Sequence, residues 1–123
     1  MKTVISLALV AALAAGSANA ACTYPKAPEK IPDGGTATLE EMIAAQRGVK
    51  QFDADITAYQ NCLETEFNDA MSKEASLTEE QKKERRKIVD QKMNAAVDEA
   101  QGLADRLNAQ IRVYKEKAAA KKN

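Results

Sequence analysis

Cys22 and Cys62 are the only cysteines in the chain, and no histidine accompanies them. That pair bounds the chemistry open to this sequence. A redox-active or metal-binding pair needs Cys-x-x-Cys spacing, a neighbouring histidine, or a third and fourth ligand, and the sequence offers none of these. The lack of histidine also removes the commonest general base and the Ser-His and Cys-His nucleophile pairs. Acidic pairs occur at Glu40-Glu41, Asp53-Asp55, Glu64-Glu66 and Glu79-Glu80, in positions that suit helix caps and solvated helix faces better than acid–base catalysis. No catalytic residue, metal ligand or cofactor is expected. Lys82, Lys83, Arg85, Arg86 and Lys87 form the densest positive cluster, the kind of patch that binds anionic phospholipid, lipopolysaccharide or another polyanion. They spread around most of a helix circumference, however, and a set of ion pairs to a neighbouring acidic helix accounts for them better.

The compartment decides how the cysteines behave. Met1 and Lys2 give a short positive start, Thr3 to Ala15 is uncharged, and Gly16, Ser17 and Ala18-Asn19-Ala20 follow. This is the three-part layout of a secretory signal, with cleavage expected between Ala20 and Ala21. The apolar run falls short of the ~20 residues that cross a bilayer, so residues 1–20 read as a leader and no transmembrane anchor is expected. Acylation of Cys22 would require a Leu-type residue three positions earlier, where Asn19 stands. The mature chain is thus expected in the periplasm or secreted, where thiols are oxidised. There the two cysteines favour a disulfide between Cys22 and Cys62, with bridging between chains as the alternative. Without Lys2 the chain carries 17 basic and 18 acidic residues, which gives no electrostatic case for a nucleic-acid partner.

The elements that must position these groups follow from proline and periodicity. Residues 21–37 hold all three prolines, Pro25, Pro28 and Pro32, and end in Gly34-Gly35, which predicts an extended, polyproline-like arm and a turn. Thr38 and Glu41 then form a capping box. Met42, Ala45, Val49, Phe52, Ile56, Tyr59 and Leu63 step by three and four, a heptad seam, and the first helix is expected over about 39–74. Thr78 and Gln81 repeat the capping-box spacing, and Val89, Met93, Ala96, Val97, Ala100, Leu103, Ala104, Leu107, Ile111 and Tyr114 form one apolar stripe. The second helix is expected over about 79–117, with 118–123 a basic tail. So short a connection folds two long helices into an all-α antiparallel hairpin, coiled-coil-like, over 38–117.

From Ala21 to Glu80 there are 12 acids and 5 bases, and from Gln81 to Asn123 there are 6 acids and 12 bases, so the two helices attract. Pairing about the turn sets residues summing to ~153 opposite each other, which brings Glu66 level with Arg86 and Lys87 as a register-setting contact. The arm is long enough to run back along the first helix, since 16 residues of polyproline-like chain reach up to ~50 Å, so Cys22 can meet Cys62. Gly48 and Gly102 fall mid-helix at nearly the same level, either a soft point in the rod or glycines on exposed positions.

The pattern Cys22-x-x-Pro25-x-x-Pro28-x-x-Ile31-Pro32-Asp33-Gly34, followed by Ala37, Glu40-Glu41-Met42 and Val49-Lys50, resembles a small family of uncharacterised exported proteins of Gram-negative bacteria. That resemblance covers about Cys22 to Leu63, departs by the extra Gly35, and implies compartment without activity. Leu77-Thr78-Glu79-Glu80-Gln81 is similar to the Leu-Thr-x-x-Gln motif of the Spy and CpxP periplasmic stress proteins, which implies a helical, ATP-independent chaperone or regulator. This chain has one copy of the motif where those proteins typically have two. The reading is a non-enzymatic structural or interaction protein of the cell envelope. Spy-like chaperone activity and binding of anionic lipid or polyanion through Lys82 to Lys87 are its alternatives. Leu39, Ile43, Phe67 and Met71 extend beyond the first seam, leaving apolar surface for a homodimer.

Overall fold

The computed structural model describes residues 21–122. Two helices, α1 (Leu39–Lys73) and α2 (Glu79–Ala120), are joined by residues 74–78 and pack along each other as an antiparallel hairpin. At 1.5 Å per residue they are about 52 and 63 Å long.

Each helix starts where its capping box places it. The Thr38 amide donates to Glu41 Oε2 at 2.7 Å while the Glu41 amide donates to Thr38 Oγ1 at 3.2 Å. At α2 the Thr78 amide donates to Gln81 Oε1 at 2.9 Å and the Gln81 amide to Thr78 Oγ1 at 3.2 Å. These reciprocal bonds satisfy amides that a helix start leaves without partners. The Glu74 amide closes α1 on the Ala70 carbonyl at 3.0 Å. The far end of α2 departs from expectation: the helix continues through Ala118, Ala119 and Ala120 rather than stopping near residue 117. Alanine has the highest helix propensity, and nothing in that run interrupts the hydrogen-bond ladder.

The core lies in one stripe between the helices. Met42, Val49, Phe52 and Ile56 of α1 meet Ala96, Ala100, Leu103 and Leu107 of α2. Phe52 is the largest fully buried side chain, and Ala96 is completely covered. Bulk on α1 meets alanine at 96 and 100 and leucine at 103 and 107 on α2, so the two faces fill the space between them, as close packing requires. Two helices alone leave such a stripe open on its flanks. The arm closes one flank, with Ala27, Ile31 and Ala37 packed against the core, so the molecule is a hairpin with a third, non-helical layer laid along its groove.

Candidate functional site

The arm is fixed at three levels. At its outer end Cys22 and Cys62 form a disulfide, with Cα atoms 5.7 Å apart. Beside it the Cys22 amide donates to Glu66 Oε1 at 3.1 Å. Glu66 therefore serves the arm. This corrects the expectation that it meets Arg86, and the acid at that level is Glu64, whose Oε1 lies 2.7 Å from Arg86 Nη1. The same guanidinium reaches Asp90 at 2.9 Å and sits 5.0 Å from the centre of the Phe67 ring. Its pKa is pushed higher still, first by the hydrogen bond with Glu64 and then by that with Asp90.

One step further along, the ring of Tyr24 packs edge-on against Tyr59, centroids 5.1 Å apart and planes at 72°. Its hydroxyl donates to a carboxylate oxygen of Glu99 on α2. Tyr24 thereby bridges both helices across the groove. Burial and the adjoining Glu99 carboxylate, in that order, disfavour the phenolate and push its pKa up to about 12.

At the inner end the Gly34 amide donates to Gln110 Oε1 at 2.8 Å. A Cβ at residue 34 would stand 2.0 Å from the Gln110 carbonyl oxygen and 2.8 Å from the Tyr114 amide nitrogen. No glycine of the described residues has a positive φ, so glycine is required at 34 by the close approach of the arm to the backbone of α2, not by the turn itself. The turn is made by Asp33: its side chain accepts from the Gly35 amide at 2.8 Å, and its carbonyl accepts from the Thr36 and Ala37 amides at 3.1 and 2.8 Å. An aspartate closing on its own backbone in this way delivers the chain into the Thr38 cap. Gly48 and Gly102 carry no such requirement. A Cβ at 48 would meet Pro28 at 3.6 Å, ordinary contact, and one at 102 would meet nothing within 4 Å.

The sulfurs of Cys22 and Cys62 and a carboxylate oxygen of Glu66 lie within 4.8 Å of one another. The arrangement has the look of a metal-binding trio, but thiolates are the metal ligands, and here both sulfurs are spent on the disulfide while Glu66 holds the arm's amide. Of the residues singled out in the sequence, Ala20 and the rest of the leader lie outside the described residues, and Ala21 is exposed at the start of the arm. The basic cluster does not gather into one patch. Lys82 pairs with Glu79 at 2.9 Å, Arg85 with Glu74 at 2.7 Å, and Arg86 with Glu64 and Asp90. Lys83 and Lys87 are exposed and share their surface with Glu80 and Glu84. Such mixed sign lowers the local positive potential.

Beyond Cys22 the groove continues toward the turn, where no arm residue among the described ones covers it. There α1 contributes Leu63, Glu66, Phe67, Ala70 and Met71, and α2 contributes Arg85, Ile88, Val89 and Lys92. Ile88 is 44% exposed. Leu39 and Ile43, at the opposite end of α1, are exposed as well. No helix among the described residues is long and apolar enough to cross a membrane. No protein-family model, curated protein or solved structure matches the chain.

Proposed function

We propose that this chain is a non-enzymatic interaction protein of the cell envelope, exported by its leader to the periplasm or beyond and presenting the tip of a helical hairpin to a protein partner. The observation that carries this reading is the contrast between the two parts of the groove. Over the length of the arm the apolar stripe is covered and clasped by the disulfide, Tyr24 and Gly34. At the tip it is open, with Ile88 exposed on a floor of Leu63, Phe67 and Val89. Contiguous open apolar surface on an otherwise charged rod is where a partner can seat. The leader pattern of residues 1–20, the two cysteines and the likeness of the arm to exported Gram-negative proteins support the compartment.

The chaperone reading rests on the Leu-Thr-x-x-Gln likeness alone. Thr78 and Gln81 are both consumed in capping α2, which accounts for the Leu-Thr-x-x-Gln likeness without a client. The polyanion reading is weakened by the ion pairs that occupy Lys82, Arg85 and Arg86. The test is photo-cross-linking in the native host from a probe placed at residue 88. A discrete adduct with an envelope protein, lost when the probe is moved to exposed Gln101 on α2, is the expected result. No adduct from residue 88 would remove the reading.

A further inference from the structure

The groove that holds the arm outlasts the arm. At 3.6 residues per turn, Glu66 and Ala70 continue the row of α1 on which Tyr59 and Cys62 meet the arm. Likewise Ile88 and Lys92 continue the row of α2 that carries Glu99 and Gln110. The tip groove is therefore the same channel between the same two helices, and no described residue of the arm lies in it. What seats in the covered part is known: a single extended chain with alanine and isoleucine side chains against the core and an aromatic ring bridging the walls.

Size selects among occupants. Leu63 to Met71 covers about 12 Å of helix, and two helices are about 20 Å across, giving roughly 240 Å² of face. A stable complex between folded surfaces buries about 800 Å² on each side, so the tip is too small to hold a second hairpin by itself. One extended chain at ~3.1 Å per residue fits it with about four residues. The floor is apolar, and the walls carry Glu66, whose Oε1 already accepts from the Cys22 amide, Arg85, whose charge is met by Glu74 at 2.7 Å, and Lys92, which pairs with no described residue.

We propose that the tip groove receives an extended segment of about four residues from another polypeptide, laid in line with the arm, with apolar side chains on the Phe67 and Val89 floor and a carboxylate opposite Lys92. This names the kind of partner for the interaction site argued above and rests on that reading.

The test is a titration of ¹⁵N-labelled mature protein, disulfide intact, with acetyl-Asp-Leu-Pro-Leu-Pro-amide and with its two counterparts carrying valine or phenylalanine for leucine. Saturable amide shifts at Ala70, Ile88 and Lys92 are expected for at least one peptide, with Met42 and Leu107 unmoved. Ile88→Glu should raise Kd at least tenfold and Lys92→Glu at least threefold, each with an unchanged helical spectrum. The absence of saturable shifts with all three peptides up to millimolar concentration would overturn the proposal, as would shifts confined to the neighbourhood of Gly34. Concentration-dependent shifts at the tip without peptide would assign the groove to a second copy and overturn it too. If the residue 88 cross-link forms while no peptide binds, the interaction reading stands and the extended segment fails; if neither is seen, both fall.

Discussion

Gly34→Ala is the substitution from which the packing of the arm predicts most. The new methyl carbon would lie 2.0 Å from the Gln110 carbonyl oxygen and 3.0 Å from the carbonyl carbon, and these are backbone atoms in the middle of α2 that cannot swing aside. The arm has to lift instead. Lifting stretches the 2.8 Å bond from the Gly34 amide to Gln110 Oε1, and Gly34 is buried, so its amide is left short of a partner. Overpacking costs about 1–3 kcal/mol, and an unsatisfied buried donor about 1–3 kcal/mol. Against this, replacing glycine restricts the unfolded chain and stabilises by roughly 0.4–1 kcal/mol where the backbone tolerates it, as the absence of positive φ here allows. The net is a loss of about 1–5 kcal/mol, which in a domain of about 100 residues lowers Tm by roughly 5 °C or more. Gly102→Ala is the matched control. Its Cβ meets nothing within 4 Å, so helix propensity alone applies and the variant gains about 1 kcal/mol. Both are read by urea unfolding followed by circular dichroism. A Gly34→Ala protein within 0.5 kcal/mol of wild type would refute the close approach of arm and helix.

Three further outcomes follow from the clasp and the register. Replacing both cysteines with alanine removes a cross-link between residues 40 apart and should lower unfolding free energy by about 4 kcal/mol through the entropy of the unfolded chain, measured on the same urea curves. The Tyr24 phenol, held protonated up to about pH 12, has its folded-state pKa above the unfolded value near 10; its stabilisation is complete below pH 10 and is lost as pH rises toward 12. Absorbance titration of the three tyrosines should show one ionising late, and Glu99→Gln should bring it earlier, whereas an unmoved curve would place Tyr24 away from Glu99. Arg86→Ala breaks the contacts to Glu64, Asp90 and Phe67 together and should destabilise the hairpin more than Lys83→Ala, with salt narrowing the difference; equal unfolding midpoints for the two variants would show that Arg86 does not fix the register.

The sequence carried the helices well because their signals are local. Thr38 with Glu41 and Thr78 with Gln81 mark both starts within four residues, and the steps of three and four from Met42 to Leu63 find α1's buried face, where Met42, Val49, Phe52, Ile56 and Leu63 all prove buried. The cysteine pair was legible because only two candidates exist and the arm can reach. What sequence reading missed depends on contacts across long stretches of chain. Gly34 and Gln110 are 76 residues apart, and Tyr24 and Glu99 are 75 apart; no periodicity links them, and Gly34 looked fully explained by the turn it opens. Glu66 was misassigned for a related reason. Counting about the turn gives levels along the rod but not which side of α1 an acid occupies, and Glu66 lies on the arm's side whereas Glu64 lies on the side of Arg86. The basic cluster shows the same gap between count and placement, since Lys82, Arg85 and Arg86 each find an acid of their own.

The proposed export and the disulfide that pins the arm are checked together by the intact mass of the protein recovered from its native host. The mass should correspond to a chain beginning at Ala21, two hydrogens lighter than the free-thiol form, with Cys22 and Cys62 alkylated only after reduction. A mass that retains residues 1–20, or two thiols that alkylate freely without reductant, would contradict both the compartment and the clasp.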